Sequence, residues 1–354
     1  MKITFCLPSI LKVPSGGFKI VFEFANRLSE RGHEVFIVCL TDTHYINYTK
    51  SDFVKYFLGQ FRIKGFPNWF SLNESVKVIA TPYHDGRHFP NADIVIATAL
   101  RTSFIIKSLP REKGEKYYFI QGFENWSASD DEVLSSYQLG LRNIVVSTWL
   151  KDIVEKCDSD VALIPNAIDS EKFFIETPIE SRSPYSLSML YHTSEQKGIP
   201  IALAAIRRVK RVYPETRLHL FGVSQKPDNL DDWMTYTQNA NEDNLRAIYN
   251  NSSIYVCASS NDGFGLTGAE SMACGCALAS TGFQGVFEYA KNNNNALISP
   301  VNDPKSLADN IIRLISDDKI RIKLAKQGSN DIKSKSWEKS VSLLESVLMR
   351  GKET

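Results

Sequence analysis

Asn261-Asp262-Gly263-Phe264-Gly265-Leu266-Thr267-Gly268-Ala269-Glu270-Ser271-Met272-Ala273-Cys274-Gly275 is the stretch on which the reading of this chain turns. An apolar run, Ile254–Ser259, precedes it and ends in polar residues, as a strand does when it leaves a sheet. Glycines at 263, 265 and 268 then make a surface poor in side chains, where backbone amides can touch hydroxyls or phosphate oxygens. A short helix carrying Glu270 follows. An ionised carboxylate is all acceptor, so Glu270 can take two hydrogen bonds from neighbouring ribose hydroxyls. Asp262 and Glu270 are eight positions apart. The plainer alternative is a capping loop with exposed acids.

The same strand–loop–helix unit recurs outward in both directions. Apolar runs fall at Ile3–Leu7, Val35–Leu40, Val76–Ala80, Asp93–Ala99, Tyr117–Gln121, Ile144–Ser147 and Val161–Pro165. A second series runs Leu187–His192, Arg217–Gly222, Ile254–Ser259, Ala277–Thr281 and Ala296–Ser299. They are apolar on both faces, as buried parallel strands are. Helical stripes lie between them, among them Phe18, Val21, Phe22, Ala25 and Leu28, and Leu307, Ile311, Leu314 and Ile315. The alternation implies a doubly wound α/β fold. A polar, proline-bearing stretch at 168–188 divides it into two Rossmann-like halves with a cleft between them. A length of 354 residues agrees with roughly two domains.

Other motifs stand at predicted strand ends. Ser15-Gly16-Gly17 follows the first strand and opens a helix, which suits an anion or an ordinary tight turn. His192-Thr-Ser-Glu-Gln-Lys197-Gly198 puts a lysine at a helix start, either as a point charge for a pyrophosphate or as a solvated first-turn residue. Lys50–Phe70 interleaves Lys50, Lys55, Arg62 and Lys64 with Phe53, Tyr56, Phe57, Phe61, Phe66, Trp69 and Phe70. That pattern suits a membrane interface or a lipid-phosphate acceptor, and equally an aromatic core with solvated lysines. Asp158-Ser-Asp160 reads as a solvated turn, not a metal site.

Composition removes several classes. The 41 basic and 40 acidic residues leave a net charge of +1, and no recognition motif appears, so nucleic acid is not an expected partner. No run reaches the roughly 20 apolar residues of a spanning helix. The N-terminus reads as a buried strand and not as a signal peptide. The six cysteines mostly lie in apolar runs, and Cys274-Gly-Cys276 lacks a second pair at zinc spacing. The expected compartment is the cytoplasm, with the inner face of the cell membrane as a second expectation.

The stretch 261–275 resembles the signature Glu-Gly-Phe-Gly-(x4)-Glu-Ala-Met-Ala-Cys-Gly of the retaining glycosyltransferases of family 4 (glycosyl transferases group 1), which adopt the GT-B fold. Gly16-Gly17, Ile164-Pro-Asn166-Ala-Ile-Asp169 with Phe173, Lys197-Gly198, Leu245 with Tyr249, and Gly285 with Glu288 match further family motifs in order, from residue 1 to about 340. The resemblance implies a first, acceptor-side domain of residues 1–170 plus 337–354, the last helix crossing back onto it. It implies a second, donor-side domain of residues 171–336.

By the same resemblance the donor is a nucleoside-diphosphate sugar, UDP-, GDP- or dTDP-linked, with no cofactor and no metal. Glu270 would hold the donor ribose and Lys197 its diphosphate. Gly263, Phe264, Gly265 and Leu266 would present amides to the sugar and its phosphate. Asp262 would lie near the reacting carbon, and Gly16 and Gly17 would face the diphosphate from the other domain. The expected reaction moves a hexose or deoxyhexose, with retention, to a hydroxyl of a glycan, lipid-linked glycan or cell-surface polysaccharide precursor.

Three departures qualify this. Asp262 replaces the usual glutamate, and His192 replaces the usual arginine five residues before Lys197. The segment Gln121-Gly-Phe-Glu124 stands where many members carry a histidine. Gln121 and Glu124 are the candidate acceptor contacts, Glu124 being readable also as a structural acid. Asp262, Lys197 and Glu124 are the candidate catalytic residues. An epimerase or hydrolase of the same fold, or a non-catalytic GT-B partner subunit, remains open at this point.

Overall fold

The computed structural model describes residues 1–42 and 49–350. Residues 351–354, the end of the expected first domain, lie outside this range. The chain divides into two compact units.

The first unit begins β1 (Lys2–Leu7), α1 (Gly16–Glu30), β2 (Glu34–Leu40), α2 (Asp52–Arg62), β3 (Lys77–Thr81) and β4 (Ile94–Ala97). It continues α3 (Leu100–Ser108), β5 (Glu115–Ile120), α4 (Asp130–Ser136), β6 (Arg142–Val145), α5 (Thr148–Val154) and β7 (Val161–Leu163). Its strands form one sheet in the order β3-β2-β1-β4-β5-β6-β7, parallel throughout. The order reverses between β1 and β4, which opens a crevice beyond their carboxyl ends.

The second unit runs β8 (Ser186–Leu190), α6 (Ile199–Val212), β9 (Arg217–Gly222), β10 (Met234–Gln238), α7 (Glu242–Asn250) and β11 (Ile254–Cys257). Then come α8 (Leu266–Ala273), β12 (Ala277–Thr281), β13 (Ala296–Ser299), α9 (Pro304–Ser316) and α10 (Asp318–Ile332). The order is β10-β9-β8-β11-β12-β13, again parallel, with its reversal between β8 and β11. Both faces are covered. Ala277 and Ala279 of β12 pack with Ile206 and Leu314, whereas Leu278 between them packs with Tyr249 and Met272.

One strand escaped the sequence reading. β10 is an edge strand with only Met234 fully buried, so it lacks the two-sided apolar run that betrays a central strand.

The stretch at 168–188 is not a loose linker. The break falls between Asn166 and Ala167, and the residues after it pack onto the second unit through Arg182. That guanidinium is 5% exposed. It donates to the carbonyls of Thr177, Tyr249, Ser252 and Cys274 and to Asn250 Oδ1, at 2.7–3.2 Å.

The last helix, α11 (Trp337–Arg350), joins the first unit from Glu338 onward. Val341, Leu344 and Leu348 are its buried stripe. Arg31 pairs with Glu338 and Glu345, and His33 Nε2 lies 2.8 Å from Glu345 Oε1.

Candidate functional site

In the second unit the two motifs flank the sheet's reversal, where ligands of open α/β sheets bind. Lys197 ends a 3-10 turn, Glu195–Lys197, between β8 and α6. Gly198 caps α6 with φ +60°, and a Cβ there would meet the Ala258 carbonyl oxygen at 1.9 Å. Only glycine lets the turn close this tightly on the end of β11, and that contact sets where Lys197 stands.

Asp262 follows β11. Its Oδ2 lies 2.5 Å from Lys197 Nζ, and its Oδ1 accepts from the N–H groups of Phe264 and Gly265 at 3.3 and 3.1 Å. Burial works against both charges. The Asp262 carboxylate nevertheless raises the Lys197 pKa, and Lys197 with the two N–H groups lowers that of Asp262. Both groups are charged at neutral pH. Lys197 and Asp262 share a recess with Leu190, Cys257, Ser259 and Thr267. Burial pushes the Cys257 thiol up, so it remains protonated and is no nucleophile.

The glycine loop is shaped by residues distant in sequence. A Cβ on Gly285 would meet the Asp262 carbonyl oxygen at 2.5 Å and the Gly263 carbonyl carbon at 2.7 Å. The backbone after β12 therefore lies directly against the loop. Tyr289 Oη donates to the Gly265 carbonyl at 2.9 Å. Gly265 has φ +83° and faces the Phe283 ring, and a Cβ on Gly268 would strike Tyr289 Oη at 2.5 Å. Nothing in the sequence marked Tyr289 or Phe283.

Glu270 lies one turn into α8 and is 4% exposed. Tyr249 Oη donates to its Oε2 at 3.4 Å. His192 is pushed down by burial, with Lys197 adding repulsion. Its Nδ1 accepts from the Ser194 N–H at 2.9 Å. At pH 7 it is a neutral ring with its proton on Nε2, a single donor where an arginine would offer a charged fork. The first turns of α6 and α8 add N–H groups without intrahelical acceptors.

In the first unit Gly16 and Gly17 open α1, after residues 8–15 that follow the end of β1. Gln121 Nε2 donates to the Gly17 carbonyl at 3.2 Å, which joins the end of β5 to the start of α1. Glu124 stands a few residues further on. Its Oε1 accepts from the Leu100 N–H at 3.0 Å, at the start of α3. Burial drives its pKa up to about 7, and that N–H opposes the rise. Glu124 thus has an architectural partner and a pKa in the range of acid–base groups. Asp158 Oδ2 accepts from Asn143 and Oδ1 from the Asp160 N–H, which makes the Asp-x-Asp a braced turn. Among the described residues no group of three or more His, Cys, Asp or Glu is placed to hold a metal ion. No helix among them is long and apolar enough to cross a membrane.

Two parallel Rossmann-like units, with a cationic turn and a glycine loop meeting at the second sheet's reversal, define the GT-B class. Over 99% of its length the chain superposes on sucrose-phosphate synthase of Thermosynechococcus elongatus, covering 98% of that chain, with TM-score 0.75 and 16% identity. It also matches HepE of Anabaena over 100% of both chains, with TM-score 0.72 and 12% identity. Residues 169–331, a little under half of the chain, match the family model of the glycosyl transferases group 1.

Among curated proteins the chain is 22% identical, over 338 residues, to the phosphatidylinositol N-acetylglucosaminyltransferase gpi3 subunit of Schizosaccharomyces pombe. That match covers 86% of this chain and 70% of the yeast protein. It is 21% identical, over 216 residues, to phosphatidyl-myo-inositol mannosyltransferase of Mycobacterium tuberculosis, covering 57% of this chain and 56% of that protein. The matched stretch spans little more than half the length of most of these relatives.

Proposed function

We propose that this protein transfers a sugar from a nucleoside-diphosphate sugar to a hydroxyl acceptor with retention at the anomeric carbon. The observation that carries the reading is the Lys197–Asp262 pair at the second sheet's reversal, in front of the N-termini of α6 and α8. In the reaction the bond from the anomeric carbon to the diphosphate oxygen breaks, and its electron pair leaves with the diphosphate. The acceptor oxygen bonds to the carbon, and its proton passes to the departing diphosphate oxygen. Charge therefore grows on the diphosphate, and Lys197 with the helix N–H groups stabilises it there. This stabilisation is cationic without a metal ion. His192 adds one neutral donor and cannot replace a guanidinium.

Glu270 is assigned to the donor ribose. Gly263–Leu266 are assigned to the sugar and its phosphate. Gly16 and Gly17 are assigned to the diphosphate, and Gln121 and Glu124 to the acceptor. A hexose or deoxyhexose is the proposed sugar. A lipid-linked or polysaccharide acceptor is favoured because the named relatives act on phosphatidylinositol lipids. UDP is the first donor nucleotide to test, because HepE was solved with UDP and glucose.

The test is a thermal-shift series with UDP, GDP, dTDP and ADP on the full chain. A ligand at 100 times its Kd stabilises by about 2.7 kcal/mol, so one nucleotide should raise the melting temperature by several degrees. Glu270→Ala should abolish that shift, and near-native affinity in this variant sinks the ribose assignment. Product analysis with donor alone and with acceptor then separates transfer from hydrolysis or epimerisation. Failure of all four nucleotides to bind would support a non-catalytic subunit instead.

A further inference from the structure

The strip 50–70 divides into two halves of opposite character. Phe66, Trp69 and Phe70 pack around Phe22, with ring centroids 5.4–5.7 Å from it. Trp69 Nε1 donates to the Leu11 carbonyl at 3.0 Å. That half is core. The other half is α2, and it is folded with its apolar side out. Phe53 is 65% exposed, Phe57 49% and Phe61 67%, with Val54 beside them at 41%. The three rings recur every four residues and so share one face. The opposite face buries Lys55 and Gly59. A Cβ on Gly59 would stand 3.2 Å from Thr41 and Ala80, so the glycine is what lets the helix lie this close. Lys55 turns its ammonium to Asp52, 3.2 Å away.

Water penalises such a face. Its border is cationic. Lys50 precedes the helix and Lys64 follows it, and Lys64 Nζ sits 5.0 Å from the Phe61 centroid. Asp52 is the lone acid from residue 50 to 64, and Lys55 already occupies it. Three phenyl rings on one face with uncompensated cations at the edge are complementary to a surface with acyl chains below and phosphates at its rim.

We propose that α2 docks this unit on an anionic lipid surface. Phe53, Phe57 and Phe61 enter the acyl boundary, and Lys50 and Lys64 meet the lipid phosphates. The inference rests on this face alone and stands whether or not the chain transfers a sugar.

The experiment is flotation of the full chain with phosphatidylcholine vesicles, plain or containing about 30% phosphatidylglycerol. The protein should float with the anionic vesicles, and less of it as salt is raised. Phe53→Ser/Phe57→Ser/Phe61→Ser should lower the partition coefficient at least about tenfold at unchanged melting temperature. Lys50→Glu/Lys64→Glu should remove the preference for anionic vesicles. Should the triple variant fold poorly, brominated lipids supply a second reading in a Phe57→Trp chain, whose added emission they should quench. The proposal is overturned if the unaltered chain stays with the soluble fraction, or if the triple variant floats equally well. It is also overturned if sedimentation velocity shows a dimer that the triple variant loses while vesicles are ignored, because the face then belongs to a second copy.

Discussion

Lys197 Nζ and Asp262 Oδ2 lie 2.5 Å apart and tie the turn after β8 to the glycine loop after β11. Each ion is about three-quarters covered, and each relieves the burial cost of the other. Losing one partner strands the other, so the two single changes should together cost more than the double change. Lys197→Ala and Asp262→Ala should each destabilise the chain, and the double variant should recover about 0.5–3 kcal/mol of the summed loss in urea denaturation. Strict additivity would mean that the pair contributes no coupling.

The pair also sets a pH window. The Asp262 pKa is depressed in the fold. Its contribution is therefore present above the ordinary carboxylate range, about 3.9, and is lost as pH falls through the folded value. The Lys197 pKa is raised. Its contribution is present below about 10.4 and is lost as pH rises through the folded value. Lys197→Met should cost stability throughout that window and little beyond its ends, which denaturation at a series of pH values measures.

Glu124 has the opposite sign from Asp262. Burial raises it to about 7, above its unfolded value of about 4.3. The stability it contributes is full below about 4.3 and is lost as pH climbs through 7, about 3 kcal/mol in all. Glu124→Gln, which keeps an oxygen for the Leu100 N–H, should be more stable than the parent at pH 8.5 by that order. It should gain nothing at pH 4. An equal difference at both pH values would show an ordinary carboxylate.

Gly285 is where the later Gly-x-x-Glu motif meets the loop. Gly285→Ala forces a Cβ within 2.5 Å of the Asp262 carbonyl oxygen, and backbone on both sides must move. Nucleotide affinity, measured by calorimetry, should fall at least about tenfold, because a loop displaced by an ångström misaligns its amides. Gly198→Ala combines φ +60° with a 1.9 Å approach to Ala258 and should cost at least about 2 kcal/mol of stability. Wild-type affinity in Gly285→Ala would detach the motif from the loop's geometry.

Arg182 serves five neutral oxygens with one guanidinium. Arg182→Met leaves those acceptors buried without donors and should cost about 3 kcal/mol or more. Arg182→Lys should not rescue it, since a single ammonium cannot span the same set. Melting temperatures of the two variants decide this.

Much of the architecture was legible from residue order. All twelve expected runs coincide with strands of the two sheets, because a covered strand carries an apolar run even where, as at β3, β7 and β13, it stands at a sheet edge. β10 was not legible, because Met234-Thr-Tyr-Thr-Gln238 holds too few apolar residues to form a run. The 168–188 stretch carries prolines and charge and so resembles a linker, yet Arg182 pins it. A buried arginine gives little local signal, since four of its five partners come from residues about 70 to 90 positions away.

The sequence by itself determined the alternation of strand and helix, the glycines at the loop, and the ordered spacing of Lys197, Asp262 and Glu270. These follow from periodicity and from the geometry that each residue type permits. Only the tertiary structure decided which groups touch. It joined Lys197 to Asp262 and Gln121 to Gly17, set Tyr289 and Gly285 behind the loop, and buried Glu124 far enough to move its pKa. It also split one aromatic strip into a core half and an outward-facing helix. Contact and burial depend on which elements become neighbours in space, and side-chain order along one chain does not encode that locally.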